Sequence, residues 1–435
     1  MRVAFGDRDR GGSYDLEALE TYTGDVMHQC GARVLEGLLE VEDGRALGRI
    51  CPCGGVFHDK KRQTKSVRTL MGDVRITHTH QRCARCGTWR APEDVVLDVV
   101  HTGFSPGLRR AMGETAAEVC FEKAAGFLDR LAGVRVGAKN VERVAEAIGQ
   151  DILARQQQTV LAALEGQLPT PTETPDTLYI ADDGTGVPVR RKETQSRAGK
   201  HPDGIARTRE AKLGALFTQI TSDEEGNPVR EAHSTTYVGK IESVDTFGPR
   251  LFAEAVRRGV EHARRVVVMG DGAVWIWNLA DEYFPKAVQI VDYRHAQEHL
   301  SVIAKLVFPD DEKARKMWEK PLGDLLWDGD IPALTMALRE IPLDGKNKET
   351  LDTTIDYFNT NHLRMRYRLF RELGLFIGSG VVEAGCRSLI GERLKCSGMH
   401  WSVSGANAII ALRCCLESNR FEHYWEERRP AAKAA

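Results

Sequence analysis

Residues 177–185 read Thr-Leu-Tyr-Ile-Ala-Asp-Asp-Gly-Thr, and residues 265–272 read Arg-Val-Val-Val-Met-Gly-Asp-Gly. Each is a short apolar run that stops at an acid followed by glycine, the pattern of a buried strand ending in a turn. Between them lie a second apolar run, Ala211 to Ile220, a turn at Glu225-Gly-Asn-Pro228, a third run from Val229 to Val238 and a helical stretch from about Phe247 to Ala263. Beyond them a helix begins near Trp275, and Ala287-Val-Gln-Ile-Val291 reads as a fifth strand. Three strands in succession, then helix, strand, helix, strand, predict one mixed sheet of five strands with helices packed on it.

That element order is the order of an RNase H-like core, and it gives the acids a meaning. Asp183 follows the first strand and Asp271 the fourth, and in that topology the two strands are neighbours. Glu383 opens a helix that begins near Gly378-Ser-Gly-Val-Val, where a third acid belongs. Asp-Gly after a strand is usually only a turn, and an early helical glutamate is usually a dipole contact. Three acids on three required elements suggest instead a site for two magnesium (or manganese) ions, which take hard oxygen ligands and promote phosphoryl transfer. Asp182 competes with Asp183, because one register step turns a side chain to the other face; Asp183 is favoured.

The rest of the chain arranges itself around this core. With 435 residues, 42% of them hydrophobic, it has room for two to four domains. Residues 296–375 are helical and free of strand patterns, too long for a connection, and are expected to form an all-helical insertion. The core is expected over 176–295 and again over 376–428. Upstream, residues 1–50 read as N-terminal helices, 51–100 as a zinc ribbon and 101–168 as a helical, helix-turn-helix-like DNA-binding region. In the last of these Ser105-Pro106 is a helix start, and Gly133 to Gly137 is a turn between helices. Leu168-Pro-Thr-Pro-Thr-Glu-Thr-Pro175 is a linker. The fold class is therefore α/β and multidomain.

Longer blocks make the chain resemble a known family. Ala181-Asp-Asp-Gly-Thr-Gly-Val-Pro188, Gly270-Asp-Gly-Ala-Val-Trp-Ile-Trp-Asn-Leu-Ala280 and Asp292-Tyr-Arg-His-Ala-Gln-Glu-His-Leu300 are three of them. Glu210-Ala-Lys-Leu-Gly214, Ile377-Gly-Ser-Gly-Val-Val-Glu-Ala-Gly-Cys-Arg387 and Arg393 to Trp401 complete the set. Together they resemble the ISKra-type bacterial insertion-sequence transposases along nearly the whole chain. The resemblance implies a DDE transposase that cleaves DNA at transposon ends and joins it to target DNA, with Asp183, Asp271 and Glu383 as its catalytic, metal-binding acids. Asp292-x-x-His295 also looks similar to a supporting motif of Mutator-like and hAT transposases. Taken alone, His295 and His299 share a helix face, and packing near the site or touching phosphate suits them better than binding zinc. The alternatives are a domesticated DNA-binding protein without catalysis, or an RNase H-like nuclease or resolvase that does not transfer strands.

Cys51, Cys53, Cys83 and Cys86 predict one structural zinc site. The second knuckle, Cys-x-x-Cys-Gly, is regular; the first, Cys-Pro-Cys-Gly, is one residue short, which leaves open a lost site or His58 as a substitute ligand. The other six cysteines read as small buried hydrophobes. The net charge of -2 neither favours nor excludes a polyanion, so the distribution of charge matters more. Arg190, Arg191, Lys192, Arg197 and Lys200 cluster between the first two strands, and Arg387, Arg393 and Lys395 flank Glu383, so both groups are candidates for double-stranded DNA contacts. No apolar run reaches the roughly 20 residues that span a bilayer, and no signal-peptide layout opens the chain. The expectation is a cytoplasmic protein without a membrane partner, acting as a homo-oligomer on DNA.

Overall fold

Asp15 opens a 26-residue helix, α1 (Leu16–Val41), its carbonyl accepting from Leu19 N. The computed structural model describes residues 15–41, 48–169, 171, 174–195, 197–199, 201–202 and 204–428. Lys200 and the residues before Asp15 lie outside that range, so what the sequence suggests for them is not carried into the structure. The chain packs as two compact units: one holds the described residues up to Ala147 together with the C-terminal helix Phe421–Glu427, the other is Ile148–Arg420.

In the first unit a long hairpin, β1 (Phe57–Thr69) and β2 (Gly72–Cys83), carries a short third strand, β3 (Trp89–Arg90). Val67, Val74, Ile76 and Val99 form a small core under Ala32, Leu35 and Leu39 of α1. α2 (Pro92–Val96), α3 (Pro106–Glu118) and α4 (Phe121–Ala132) follow, and α5 (Ala138–Leu164) carries the division between the units. Ser105 caps α3 by accepting from Leu108 N, with Pro106 in the first turn as expected.

The second unit is built on a six-stranded mixed sheet. Its elements are β4 (Thr177–Pro188), β5 (Thr208–Ser222), β6 (Pro228–Arg230), β7 (Thr236–Lys240), α6 (Val244–Arg257), β8 (Arg265–Gly270), α7 (Val274–Tyr283) and β9 (Val288–Val291). The order is β6-β5-β4-β8-β9, with β7 also on β5; β4 pairs antiparallel with β5 and parallel with β8, which is parallel to β9. Five helices follow without a strand among the described residues: α8 (Tyr293–Val307), α9 (Glu312–Asp328), α10 (Ile331–Arg339), α11 (Gly345–Asn361) and α12 (Tyr367–Glu372). α13 (Gly380–Gly385), α14 (Glu392–Leu394) and α15 (Val403–Glu417) close the unit. Among the described residues no helix is long and apolar enough to cross a membrane.

Two expectations need correction. The third run is not one strand: β6 and β7 are separated by a turn with His233 at φ 59°, and both pair with β5, so six strands stand where five were expected. Nor does the first strand stop before Asp183. It runs on to Pro188, because β5 supplies backbone partners throughout, with Asp183 opposite Leu213 and Gly184 opposite Lys212. Gly184 is extended rather than turned; a Cβ there would meet Glu210 Oε1 at 2.6 Å.

Candidate active site

The parallel register of β4 with β8 runs to Ala181 opposite Met269. Two residues beyond that pair come Asp183, still within β4, and Asp271, in the turn after β8 ends at Gly270. Burial pushes the Asp183 carboxyl above its ordinary value; the Cys386 thiol and the Gly184 N–H (2.7 Å) pull it back, and the charge of Asp271 pushes it up again. The Asp271 carboxylate accepts from Ala273 N at 2.8 Å, which shapes the turn after β8. Glu383 is exposed in the first turn of α13. Its carboxyl is also raised, by partial desolvation and then by Asp292, Asp183 and Glu298, with Arg294 opposing.

The neighbouring aspartate stands in a different environment. Asp182 is 1% exposed, neither of its carboxylate oxygens has a hydrogen-bond partner in the structure, and Oδ1 lies against the backbone of Gly214. Complete burial, then the charge of Asp183, raises its carboxyl well above the usual range. The period-2 alternation of a strand turns it away from Asp183.

Asp292 ties the site's elements together. It is buried and caps α8, accepting from His295 N at 2.8 Å, and its other oxygen accepts from Ser379 N at the start of α13. Its own N–H donates to Gly270 O at 2.8 Å, at the end of β8. His295 lies on α8 with its ring 5.3 Å from that of His299 and its Nδ1 3.5 Å from Glu298. His299 stacks on Tyr357 at 3.9 Å, and burial, then His295, lower its pKa to about 4.

Two residues here were missed from sequence. Tyr357, on α11 in the helical insertion, donates from its hydroxyl to the Asp271 carbonyl at 3.0 Å, and its ring covers Gly272, whose φ is 99°. Nothing local could have found it, since the partners are 86 residues apart. Cys386, read as a buried hydrophobe, is buried but bonded to Asp183. Its i+3 spacing from Glu383 on one helix was the available signal. It begins a π-helical turn, Cys386–Gly391, a form that is rare and frequent at functional sites.

No protein-family profile matches the chain, and no curated protein matches it. A solved structure described as the Drosophila P element transposase strand transfer complex is similar over 76% of this chain and 97% of its own, with 9% sequence identity and a TM-score of 0.33. A likeness at that level carries no weight for fold or chemistry, and the site rests on its own geometry.

The three acids are joined electrostatically but are not drawn into a closed set of ligand atoms. Among the described residues the cluster with all ligand atoms within 4.8 Å is the cysteine quartet. Cys51 and Cys86 sulfurs lie 3.6 Å apart, Cys53 and Cys83 3.5 Å. A tetrahedral site with Zn–S bonds of about 2.3 Å sets sulfurs about 3.8 Å apart, so four thiolates in this arrangement could hold a zinc ion. The shortened knuckle closes because Gly54, at φ 81°, donates to Cys51 O at 2.8 Å, matching Gly87 N to Cys83 O at 3.1 Å in the regular one. His58 is exposed on β1 and is no part of the cluster. Hydrogen bonds from Thr88 lower the Cys86 thiol to about 6, so a thiolate is available near neutral pH.

Arg190, Arg191, Lys192 and Arg197 are exposed, as are Arg387 and Lys395. Lys395 donates to Thr185 Oγ1, two residues from Asp183. Arg393 corrects the expectation: it is 1% exposed, packed 5.2 Å from the Trp401 ring with Met399 Sδ at 3.9 Å, and so cannot reach a ligand in solvent.

Proposed function

We propose that this chain is a DDE-type transposase of the ISKra insertion-sequence kind, with an RNase H-like core that cleaves DNA at transposon ends and transfers the freed 3'-ends into target DNA. The observation that supports the reading is electrostatic: Asp271, in the turn after β8, raises the carboxyl of Asp183 on the neighbouring strand β4, and Asp183 in turn raises that of Glu383. Carboxylates that crowd one another gain from a divalent cation between them, and an all-oxygen donor set fits magnesium or manganese better than zinc. When bound, two such ions would supply activation of the attacking oxygen and stabilisation of the leaving one.

The chain's own groups set that site up. Gly184 N–H and the Cys386 thiol orient the Asp183 carboxylate, and Tyr357 holds the turn that carries Asp271. Asp292 fixes the start of the helix that presents Glu383 against the end of β8. Arg190, Arg191, Lys192, Arg197, Arg387 and Lys395 offer exposed cations for the phosphates of double-stranded DNA. Cleavage at two ends calls for a homo-oligomer. Asp271→Asn should abolish magnesium-dependent nicking and joining of duplexes that carry the element ends, while binding to those ends persists. Retained cleavage would refute the assignment. Nicks without joined products would make the chain a nuclease or resolvase.

A further inference from the structure

Of the 27 residues from Phe57 to Cys83, seven are Lys or Arg and two are Asp, in a chain whose net charge is -2. The hairpin they form has one covered and one open face. Val67, Val74, Ile76 and His78 point inward, His78 onto Asp94 at 2.9 Å. The register places Arg62 opposite Thr79, Thr64 opposite Thr77 and Ser66 opposite Arg75. Alternation puts these pairs on the other face, where Arg62, Thr64, Ser66, Arg75 and Thr77 are exposed. Beside that face, β1 is the sheet's outer strand, with a register shift between Asp59 and Lys61, and Lys60 and Lys61 are exposed on it.

We propose that this open face is a duplex-DNA reading surface that enters the major groove as a two-stranded ribbon. The inference deepens the proposed function, from which it takes DNA as the partner. The major groove of B-form DNA is about 12 Å wide and admits a two-stranded β-ribbon, and Arg with Ser and Thr hydroxyls are donors and acceptors suited to base edges. Lys60 and Lys61, on the ribbon's outer edge, are placed for phosphates, which position without specifying. Asp59, beside Lys60 in sequence, is engaged by Arg49 at 3.5 Å and by Gln81 at 2.8 Å, and Glu36 of α1 lies 3.5 Å from Arg75. The partner is not an RNA helix, whose deep and narrow major groove such a ribbon cannot enter.

The test uses the full chain, a pool of duplexes with a randomised segment of about two helical turns, and fluorescence anisotropy on the enriched sequence and on an unrelated duplex. Lys60→Gln with Lys61→Gln should weaken both duplexes alike and reduce the slope of log affinity against log salt by about 2, roughly one for each phosphate left without its lysine. Arg62→Ala with Thr77→Val should instead reduce preference for the enriched duplex by about tenfold and change which sequence is enriched. Circular dichroism and bound zinc must match wild type for either pair to count. Unchanged enrichment and unchanged slope in folded variants would overturn the proposal. So would variants that aggregate without losing affinity, since lysines on an unpaired edge also guard against strand addition. Preference for an RNA duplex would overturn it as well. Nicking with magnesium is measured in parallel. If the hairpin variants bind normally and nicking persists, the hairpin assignment fails alone; if wild type never nicks but the variants lose DNA, the catalytic reading fails alone.

Discussion

Glu254 is a buried acid of the second unit held by an arginine. It is 3% exposed, and Arg420 grips both of its oxygens at 2.6 Å while Thr236 donates at 2.8 Å. Burial would raise its carboxyl, but Arg420, Arg257 and Thr236 outweigh it, and the pKa falls below its ordinary 4.5. A depressed native pKa means that the stabilisation is complete above the unfolded value and is lost as pH falls through the native one. Glu254→Ala, which strands a partly buried arginine, should cost about 2–4 kcal/mol in urea unfolding at pH 7, toward the lower end of what breaking a buried pair costs. The difference from wild type should shrink once pH drops well below about 4.5. A flat profile would mean that Arg420 finds another partner. Asp182, by contrast, has no hydrogen-bonded cation, and its burial raises its carboxyl, which is why the proposed site takes Asp183 instead.

At the scale of elements, what brings the site together is hydrogen bonding between ends of strands and helices. Asp292 accepts from the first turn of α8 and the start of α13 while its N–H holds the end of β8. Asp292→Ala leaves two backbone donors without their acceptor, at about 1–3 kcal/mol for each that stays buried. The expectation is a loss of about 2–4 kcal/mol in denaturant unfolding, with nicking reduced more than DNA binding; Asn, which keeps one acceptor, should be milder. Equal stability and equal nicking in the alanine variant would remove Asp292 from the supporting role. Much of this level was readable beforehand. The apolar runs marked the strands, Ser105-Pro106 marked a helix start, and the acids lay at or near strand ends. The extent of β4 was not, because Gly184 read as a turn residue until β5 was there to pair with it. The split of the edge strand into β6 and β7 likewise depends on which parts of β5 remained unpaired.

For the molecule as a whole, the metal expectation can be checked first. Four thiols gathered this closely predict about one zinc per chain by elemental analysis, and Cys83→Ser should lose it and destabilise the β1–β2 hairpin. A purified, reduced chain with no bound metal and an unshifted unfolding transition would show the quartet to be empty of function. Order along the chain, the caps, the apolar runs and the two cysteine knuckles were settled by the sequence alone, because spacing and local turn chemistry act between near neighbours. Tertiary structure alone decided that Asp182 is sealed while Asp183 is not, that Arg393 is interior, and that Tyr357 and Cys386 reach the acids. Burial and hydrogen-bond partnership depend on residues tens to hundreds of positions away, and no local pattern encodes which of them arrives.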